Sequence, residues 1–495
     1  MTETSASDEQ SAPRPHPERA TVVGLDFGST TSSMMVVEVG VSRHSVTGRM
    51  SFSSPTVLLR SDPVLTPFEG DGLNAQALSK QLDSWLEQLP DANIDMFAGA
   101  SLITGLAARS DNATLISEQV LQRLGGSLIA TADDPKLESW LAFMGSCGLL
   151  SRARPHSQVI NLDIGGGTTN PALGLNGQVS HCGCHFIGAR HVQFEPGSYR
   201  LHSLSPFATR LLPLLDIPLE TTELSQAQVS MITQWMVRGL EALVTPNDDW
   251  FEKPEHRIFE QVSFAPELSA SNDTSDNQPD TQEASLITFS GGVGELIYAH
   301  QQSGLWPSTT HFGDLGIDLA QAIVASPVLS RNLDVSPATA GRATVMGLTL
   351  HSCDISGSSL YVPMPDVLPL QNVPVVARIP VQQPGDVRPL LDLAKGCSGG
   401  ACLQLLGKLN QLDDIRHLAD SIKTALVELE FPTTVPLVFL AENNIGKTLG
   451  SYLTNWGSLP YQILVIDEIP DRNARFIHVG KPFQSIVPVS FFGMG

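Results

Sequence analysis

Cations and cysteines are scarce in this 495-residue chain, and long apolar runs are missing from it. Lys and Arg number 29 against 51 Asp and Glu, a formal charge of -22, so the chain repels phosphate backbones and nucleic acid is not an expected partner. Any nucleotide it binds has to be held locally. No stretch approaches the roughly 18 uninterrupted apolar residues of a membrane span, and no membrane partner is expected either. The six cysteines (Cys147, Cys182, Cys184, Cys353, Cys397 and Cys402) are too few and too scattered for a disulfide framework, which points to a reducing cytoplasm. Residues 1–20 have neither an apolar core nor an amphipathic period and read as a disordered tail rather than a targeting segment.

Apolar residues make up 42% of the chain, enough at this length for a large core and for two or more domains. Strand-like runs ("TVVGLDF", "SMMVVEV", "QVINLDI", "SLITFS") alternate with helical ones ("NATLISEQVLQRL" and the period within 225–244), which argues for an α/β fold. The acidic, polar stretch 266–285 has almost nothing to bury and reads as a disordered surface loop. From about residue 350 the chain begins with Pro-rich extended segments and ends in a further α/β region.

The informative feature is a recurrence. "GLDFGSTTS" and "NLDIGGGTTN" each put an Asp at the end of a strand, just before a tight Gly turn lined with Thr. Glycines let backbone N–H groups approach an anion, hydroxyls add donors, and an Asp there can hold Mg²⁺ or orient a water. A third element, "FSGGVGELI", sets Gly-Gly between a strand and a helix, where backbone passes close to a flat ring and the helix start favours negative charge. Each turn alone is more often plain turn chemistry. Three in this order suggest a polyphosphate clamped from two sides.

This pattern resembles the actin, sugar kinase and Hsp70 superfamily, with "DFGSTTS" and "DIGGGTTN" as the two phosphate motifs, "SGGVGEL" as the adenosine motif and "AGRATVMGLTL" as the second connecting helix. Within it the chain is most similar to the EutA family of ethanolamine ammonia-lyase reactivating factors, through "ITGLAARSDN", "FGDLGIDLAQAI", "RATVMGLTLHSCDISGSSLYV", "LPLQNVPVV" and "ENNIGKTLG". The resemblance implies an α/β, two-lobed actin-like ATPase with ribonuclease-H-like lobes and a C-terminal α/β extension. It divides the chain into a first lobe at 21–155, a second at 156–350, and a region at 351–495 that completes or flanks the first. It implies ATP and Mg²⁺ as cofactors, Asp26 and Asp163 as the metal and catalytic residues, and Gly28, Ser29, Thr30, Thr31, Gly165, Gly166, Gly167, Thr168 and Thr169 around the phosphates. Gly291, Gly292 and Glu295 fall near ribose or adenine. The implied partner is adenosylcobalamin-dependent ethanolamine ammonia-lyase, in the cytoplasm or in a bacterial microcompartment, and a homodimer is compatible with it. Where the family carries a Glu after the Gly of "ITG", this chain has Leu106, which implies slow hydrolysis.

Two other functions remain open at this level: a small-molecule kinase of the same fold, for which Asp111 is the nearest candidate base, and a nucleotide-binding scaffold without hydrolysis. Asp111 with Asn112 reads more naturally as the cap of the next helix. "ENNIGKTLG" resembles the end of a Walker A loop at Gly446, Lys447 and Thr448, but Ala441 stands where that motif needs its first Gly, so a capped helix is the expectation. In "HCGCH", Cys182 and Cys184 of a continuous strand share one face and His181 and His185 the other, which opposes chelation. "KGCSGGAC" reads as a Gly-rich turn leading into a helix over "ACLQLLGKLNQL", and His311 as a turn or interface residue.

Overall fold

A computed structural model describes residues 18–28, 31–43, 49–69, 72–90, 96–103, 112–124, 128–132, 134–266, 285–337, 339–357, 359–483 and 486–494. Strands β1 (Glu18–Phe27), β2 (Thr31–Arg43) and β3 (Met50–Arg60) form an antiparallel meander, and β4 (Met96–Ile103) and β5 (Leu128–Ala132) add in parallel on the other side of β1. The order β3-β2-β1-β4-β5 is that of a ribonuclease-H-like lobe. β1 starts at Glu18, three residues inside the segment read as tail, because Glu18, Arg19 and Ala20 continue the ladder opposite Val41, Gly40 and Val39.

Period 2 along β1 explains its burial. Val23, Leu25 and Phe27 pack against α1 (Ala75–Leu86) and α2 (Ala113–Leu124), while Ala20 and Val22 face the opposite layer. Each such fully buried aliphatic side chain contributes roughly 1.5–3 kcal/mol. Both amide atoms of Asn112 pair with the backbone of Leu73, at 2.9 and 2.7 Å. Leu106 and Asp111 lie outside the described residues, as does nearly all of the acidic stretch, 267–284.

Helix α3 (Pro135–Ser146) leads into the second lobe, its start fixed by the Asp134 cap on Leu137 N–H and by Pro135 in the first turn. There β6 (Val159–Ile164) and β7 (Thr169–Leu175) form a hairpin, extended on the β7 side by β8 (Gln178–Cys182), β9 (Cys184–His185) and β10 (Glu260–Val262), while β11 (Leu286–Ser290) runs parallel to β6. The arrangement around β6 repeats that around β1. Helix α4 (Gln226–Val244) begins at a Ser225–Gln228 capping box, and α5 (Gly291–Ser303) and α6 (Gly316–Ala325) pack with it over this sheet. "HCGCH" is not one strand: it breaks at Gly183, so Cys184 and His185 are both buried. No group of three or more metal-ligating side chains gathers there or elsewhere among the described residues.

Helix α7 (Ala343–His351) returns to the first lobe and crosses α3 with the backbones in contact. A Cβ on Gly145 would stand 2.0 Å from Ala343 O, and one on Gly347 would stand 2.1 Å from Leu141 O. The lobes are therefore joined by two helices that touch at two glycines.

A third sheet follows, in the order β12-β18-β17-β13-β14-β15-β16: β12 (Cys353–Ile355), β13 (Leu370–Pro380), β14 (Ala401–Leu406), β15 (Leu437–Ala441), β16 (Ile463–Ile466), β17 (Ala474–Val479) and β18 (Pro488–Met494). β13 to β16 are parallel and linked by α8 (Arg388–Lys395), α9 (Leu412–Glu428) and α10 (Gly446–Leu453). Residues 401–406, expected to start a helix, are the buried strand β14, because an apolar run covered on both faces of a parallel sheet has no period to separate strand from helix. The sheet meets the first lobe through the Arg43–Glu468 ion pair at 3.1 Å, and α3 through Gly493 N–H, which donates to Asp134 at 2.7 Å. Among the described residues no helix is long and apolar enough to cross a membrane.

Candidate functional site

The two hairpin turns face each other across a cleft whose enclosed part measures about 140 Å³. Its walls include Asp26, Gly28 and Ser33 from the first lobe, Asp163 and Gly165–Thr168 from the second, Gly291 and Gly292 at the start of α5, and Gly341–Val345 at the start of α7. The three motifs read from the sequence, whose ends at Asp26 and Gly292 lie 266 positions apart, meet in one place.

Asp26 ends β1, opposite Ser33, and Gly28 N–H donates to Thr31 O at 3.0 Å to close the turn. Ser29 and Thr30 lie outside the described residues. Thr31 is exposed and does not line the cleft; the hydroxyl that does is Ser33, which the register sets beside Asp26. In the second turn Gly165 N–H donates to Thr168 O at 2.9 Å, while the carbonyls of Gly165 and Gly166 accept from Ala189 and Arg190 N–H at 3.1 and 2.6 Å. Those bonds hold the loop from its outer side. Thr169 points away: it is fully buried and donates to Ile187 O at 2.7 Å, since side chains alternate along β7 and Thr168 already takes the cleft side.

Gly291 has φ +77°, and a Cβ there would stand 2.5 Å from Ile164 O, so only glycine turns the chain at this point. Its N–H donates to Ala340 O at 2.9 Å, which fixes Gly341 in the wall. Glu295 is one turn further along α5 and exposed; its carboxyl abuts Gly341 instead of lining the cleft.

Asp163 is buried and accepts from Ser290 Oγ at 2.5 Å; Ser290 in turn accepts from Asn161 Nδ2 at 2.8 Å. Parallel pairing sets Ser290 level with Asp163. Burial pushes Asp163 up to about 6 despite the Ser290 bond, and burial together with the charge of Asp163 pushes Asp26 up to about 7. Two desolvated carboxylates from two lobes repel each other, and a divalent cation between them relieves both. The donor set fits Mg²⁺, which takes one or two carboxylates and completes its shell with water and phosphate oxygens.

Besides Ser33 and Gly341, the wall residues that escaped the sequence reading include Glu138 and Arg342. Glu138 sits in the first turn of α3 and brings a third carboxylate to the cleft. Arg342, just before α7, donates from Nη1 to Ser61 O at 2.5 Å, tying the connecting helix to the first lobe beside the cleft. "ADDPKLE" carries a helix-start signal at Asp134 and Pro135, yet nothing local says which way Glu138 faces. The Gly446-Lys447-Thr448 turn does open a helix, but its start is already filled: Gly446 N–H donates to the Asp467 carboxylate at 3.1 Å and Lys447 N–H to Ser359 O at 2.5 Å. An anion already occupies the place a phosphate would take.

A family model described as ethanolamine utilisation protein EutA matches residues 18–491. Ethanolamine ammonia-lyase reactivase EutA of Escherichia coli strain K12 is 30% identical over 492 residues, covering 94% of this chain and 97% of that protein. The reactivase of the same name from Salmonella typhimurium strain LT2 is 29% identical over 484 residues, with the same coverage. Among solved structures, the Aquifex aeolicus PPX-GPPA enzyme matches with a TM-score of 0.34 at 13% identity, covering 67% of this chain and 91% of that one. Ethanolamine utilization protein EutJ from Carboxydothermus hydrogenoformans matches with a TM-score of 0.30 at 14% identity, covering 68% and 91%.

Proposed function

The chain belongs to the EutA family of ethanolamine utilisation proteins, and from that premise we propose that it reactivates adenosylcobalamin-dependent ethanolamine ammonia-lyase in an ATP- and Mg²⁺-dependent way. The observation that carries the nucleotide part is the pair of desolvated carboxylates, Asp26 and Asp163, set opposite each other between two glycine turns. In this reading they hold Mg²⁺, the backbone of Gly28 and Gly165–Thr168 binds phosphates, and Gly291, Gly292 and Gly341 give a flat wall for the nucleoside. Mg²⁺ supplies charge neutralisation at the phosphates. Residues 21–155 and 156–350 act as the two lobes, with 351–495 flanking the first, and the cytoplasm is the setting.

Reactivation requires that the two nucleotide states of the protein differ in affinity for two states of the lyase, since a ligand with equal affinity for both shifts nothing. Closing the lobes on nucleotide moves them about the α3–α7 crossing, and the lyase reads that movement. The test uses lyase inactivated with an adenine-lacking cobalamin, incubated with this protein, ATP, Mg²⁺ and fresh adenosylcobalamin. Recovery of deamination is expected. No recovery overturns the proposal, and full recovery with a non-hydrolysable ATP analogue favours the scaffold without hydrolysis.

Glu138 is the group that orients the attacking water and accepts its proton, a part that Leu106 cannot play. Glu138→Gln is expected to lower ATP turnover by roughly 100-fold or more while leaving the Kd for Mg·ATP nearly unchanged. Parallel loss of turnover and affinity, measured by steady-state kinetics and calorimetry, would make Glu138 a binding residue instead.

A further inference from the structure

A second cavity, larger than the nucleotide cleft, lies elsewhere in the molecule. On the other side of the α3–α7 crossing lies a groove of about 580 Å³, room for several side chains rather than an ion. Three parts of the chain build it. Met50–Phe52 of β3 and Arg152 come from the first lobe, Gly177–Val179 from the second, and Asp354 and Pro470–Arg472 from the C-terminal region, with Trp140 and Met144 of α3 between them. Because Trp140 and Met144 lie about 200–240° round α3 from Glu138, the helix presents one face to the nucleotide and the other to the groove. Helix α7 runs from Thr344 in the cleft to His351 in the groove.

The chemistry of the groove is specific. Trp140 offers an aromatic wall, with the Arg472 guanidinium 5.5 Å from its ring centre and held by Asp354 through two bonds of 2.9 and 2.8 Å. Ser352 Oγ lies buried in the adjoining pocket with no hydrogen-bond partner among the described residues. Arg152 is exposed and makes no ion pair among the described residues, in a chain whose cations are outnumbered 51 to 29. Burial, with the charges of Arg152 and Arg472, keeps His351 neutral, pushed down to about 4. Asp471 in the same wall is paired with Arg378 at 3.1 Å, which leaves Arg152 as the charge in the lining without an ion pair among the described residues.

We propose that this groove is the surface that grips the lyase, taking an extended segment that lays an aromatic or aliphatic side chain on Trp140 and Met144 and a carboxylate on Arg152. The inference rests on the reactivase reading and adds the place of contact. It also supplies the coupling: with cleft and groove on opposite sides of one crossing, a rigid-body opening of either narrows the other. Nucleotide in the cleft therefore sets the width of the groove.

The full chain is tested with a photo-crosslinking p-benzoylphenylalanine at exposed Gln178, with the same residue at exposed Leu393 on α8 as control, against the lyase holoenzyme. Crosslinks are expected from position 178, with a yield that differs between Mg·ATP and Mg·ADP, and none from 393. Arg152→Glu is expected to weaken lyase binding tenfold or more and Arg152→Lys much less, both with unchanged Mg·ATP affinity. Reactivation by the unmodified protein without crosslinks at 178, or with Arg152→Glu binding normally, overturns the groove and leaves the reactivase reading standing. Equal loss of lyase and Mg·ATP binding in Arg152→Glu also counts against the groove. Failure of the unmodified protein to bind or reactivate the lyase overturns both.

Discussion

Asp163→Asn abolishes the Mg²⁺-dependent stabilisation by ATP and at the same time makes the nucleotide-free protein more stable at pH 8. Asparagine keeps an oxygen for Ser290 Oγ, so the buried chain through Asn161 survives, but the charge that holds Mg²⁺ is gone. The stability gain follows from the raised folded-state pKa. A carboxyl at about 6 in the folded chain and near 3.8 unfolded contributes no penalty below pH 4, and costs stability as pH rises through 6. Two units correspond to roughly 3 kcal/mol, an upper figure that relaxation of the cleft reduces. Removing the Asp163 charge also lowers the cost of ionising Asp26, whose position near 7 owes part of its rise to that charge. Thermal unfolding at pH 4 and pH 8, with and without Mg·ATP, checks each part. The apo variant should melt above the parent at pH 8 and level with it at pH 4, and Mg·ATP should raise only the parent's Tm. A variant that still gains Tm with Mg·ATP would place the metal elsewhere.

Gly347→Ala lowers Tm and uncouples the lobes, although alanine is the better helix former by about 1 kcal/mol. The added methyl would stand 2.1 Å from Leu141 O, 2.7 Å from its carbonyl carbon and 3.0 Å from its Cα. All three are backbone atoms of α3, so no rotamer change makes room and the helices must separate. Overpacking costs about 1–3 kcal/mol in cores that can adjust side chains, and this site cannot, so the clash outweighs the propensity. Because α3 carries Glu138 and Trp140 on its two faces, the same displacement opens both cleft and groove, and Mg·ATP affinity falls together with lyase reactivation. Gly399→Ala is the control, since a Cβ there meets nothing within 4 Å. An unchanged Tm for Gly347→Ala would show that the crossing has slack.

Much of the fold was legible because its signals are local. Strand, Asp and glycine turn recur at 26 and 163 within windows of about ten residues, and the helix over 226–244 announces itself by its 3.6 period. Local signals misled where burial removes the pattern: 401–406 is a strand because it is covered on both faces, and Gly183 breaks "HCGCH" because the chain turns there toward β10. The same limit applies at the site. Asp26 and Asp163 were identifiable as carboxylates at turns, but which neighbouring hydroxyl joins each was not. Ser33 lines the cleft and Thr31 does not; Thr168 does and Thr169 is turned into the core.

The sequence by itself determined the α/β class, the order of the three nucleotide motifs and the family, because these rest on residue type at short range. Only the tertiary structure decided that the motifs converge, that Glu138 and Arg342 belong to the cleft and that a second groove backs onto it. Those facts depend on two helices crossing at Gly145 and Gly347, 202 residues apart, whose only mark in the sequence is the absence of a side chain.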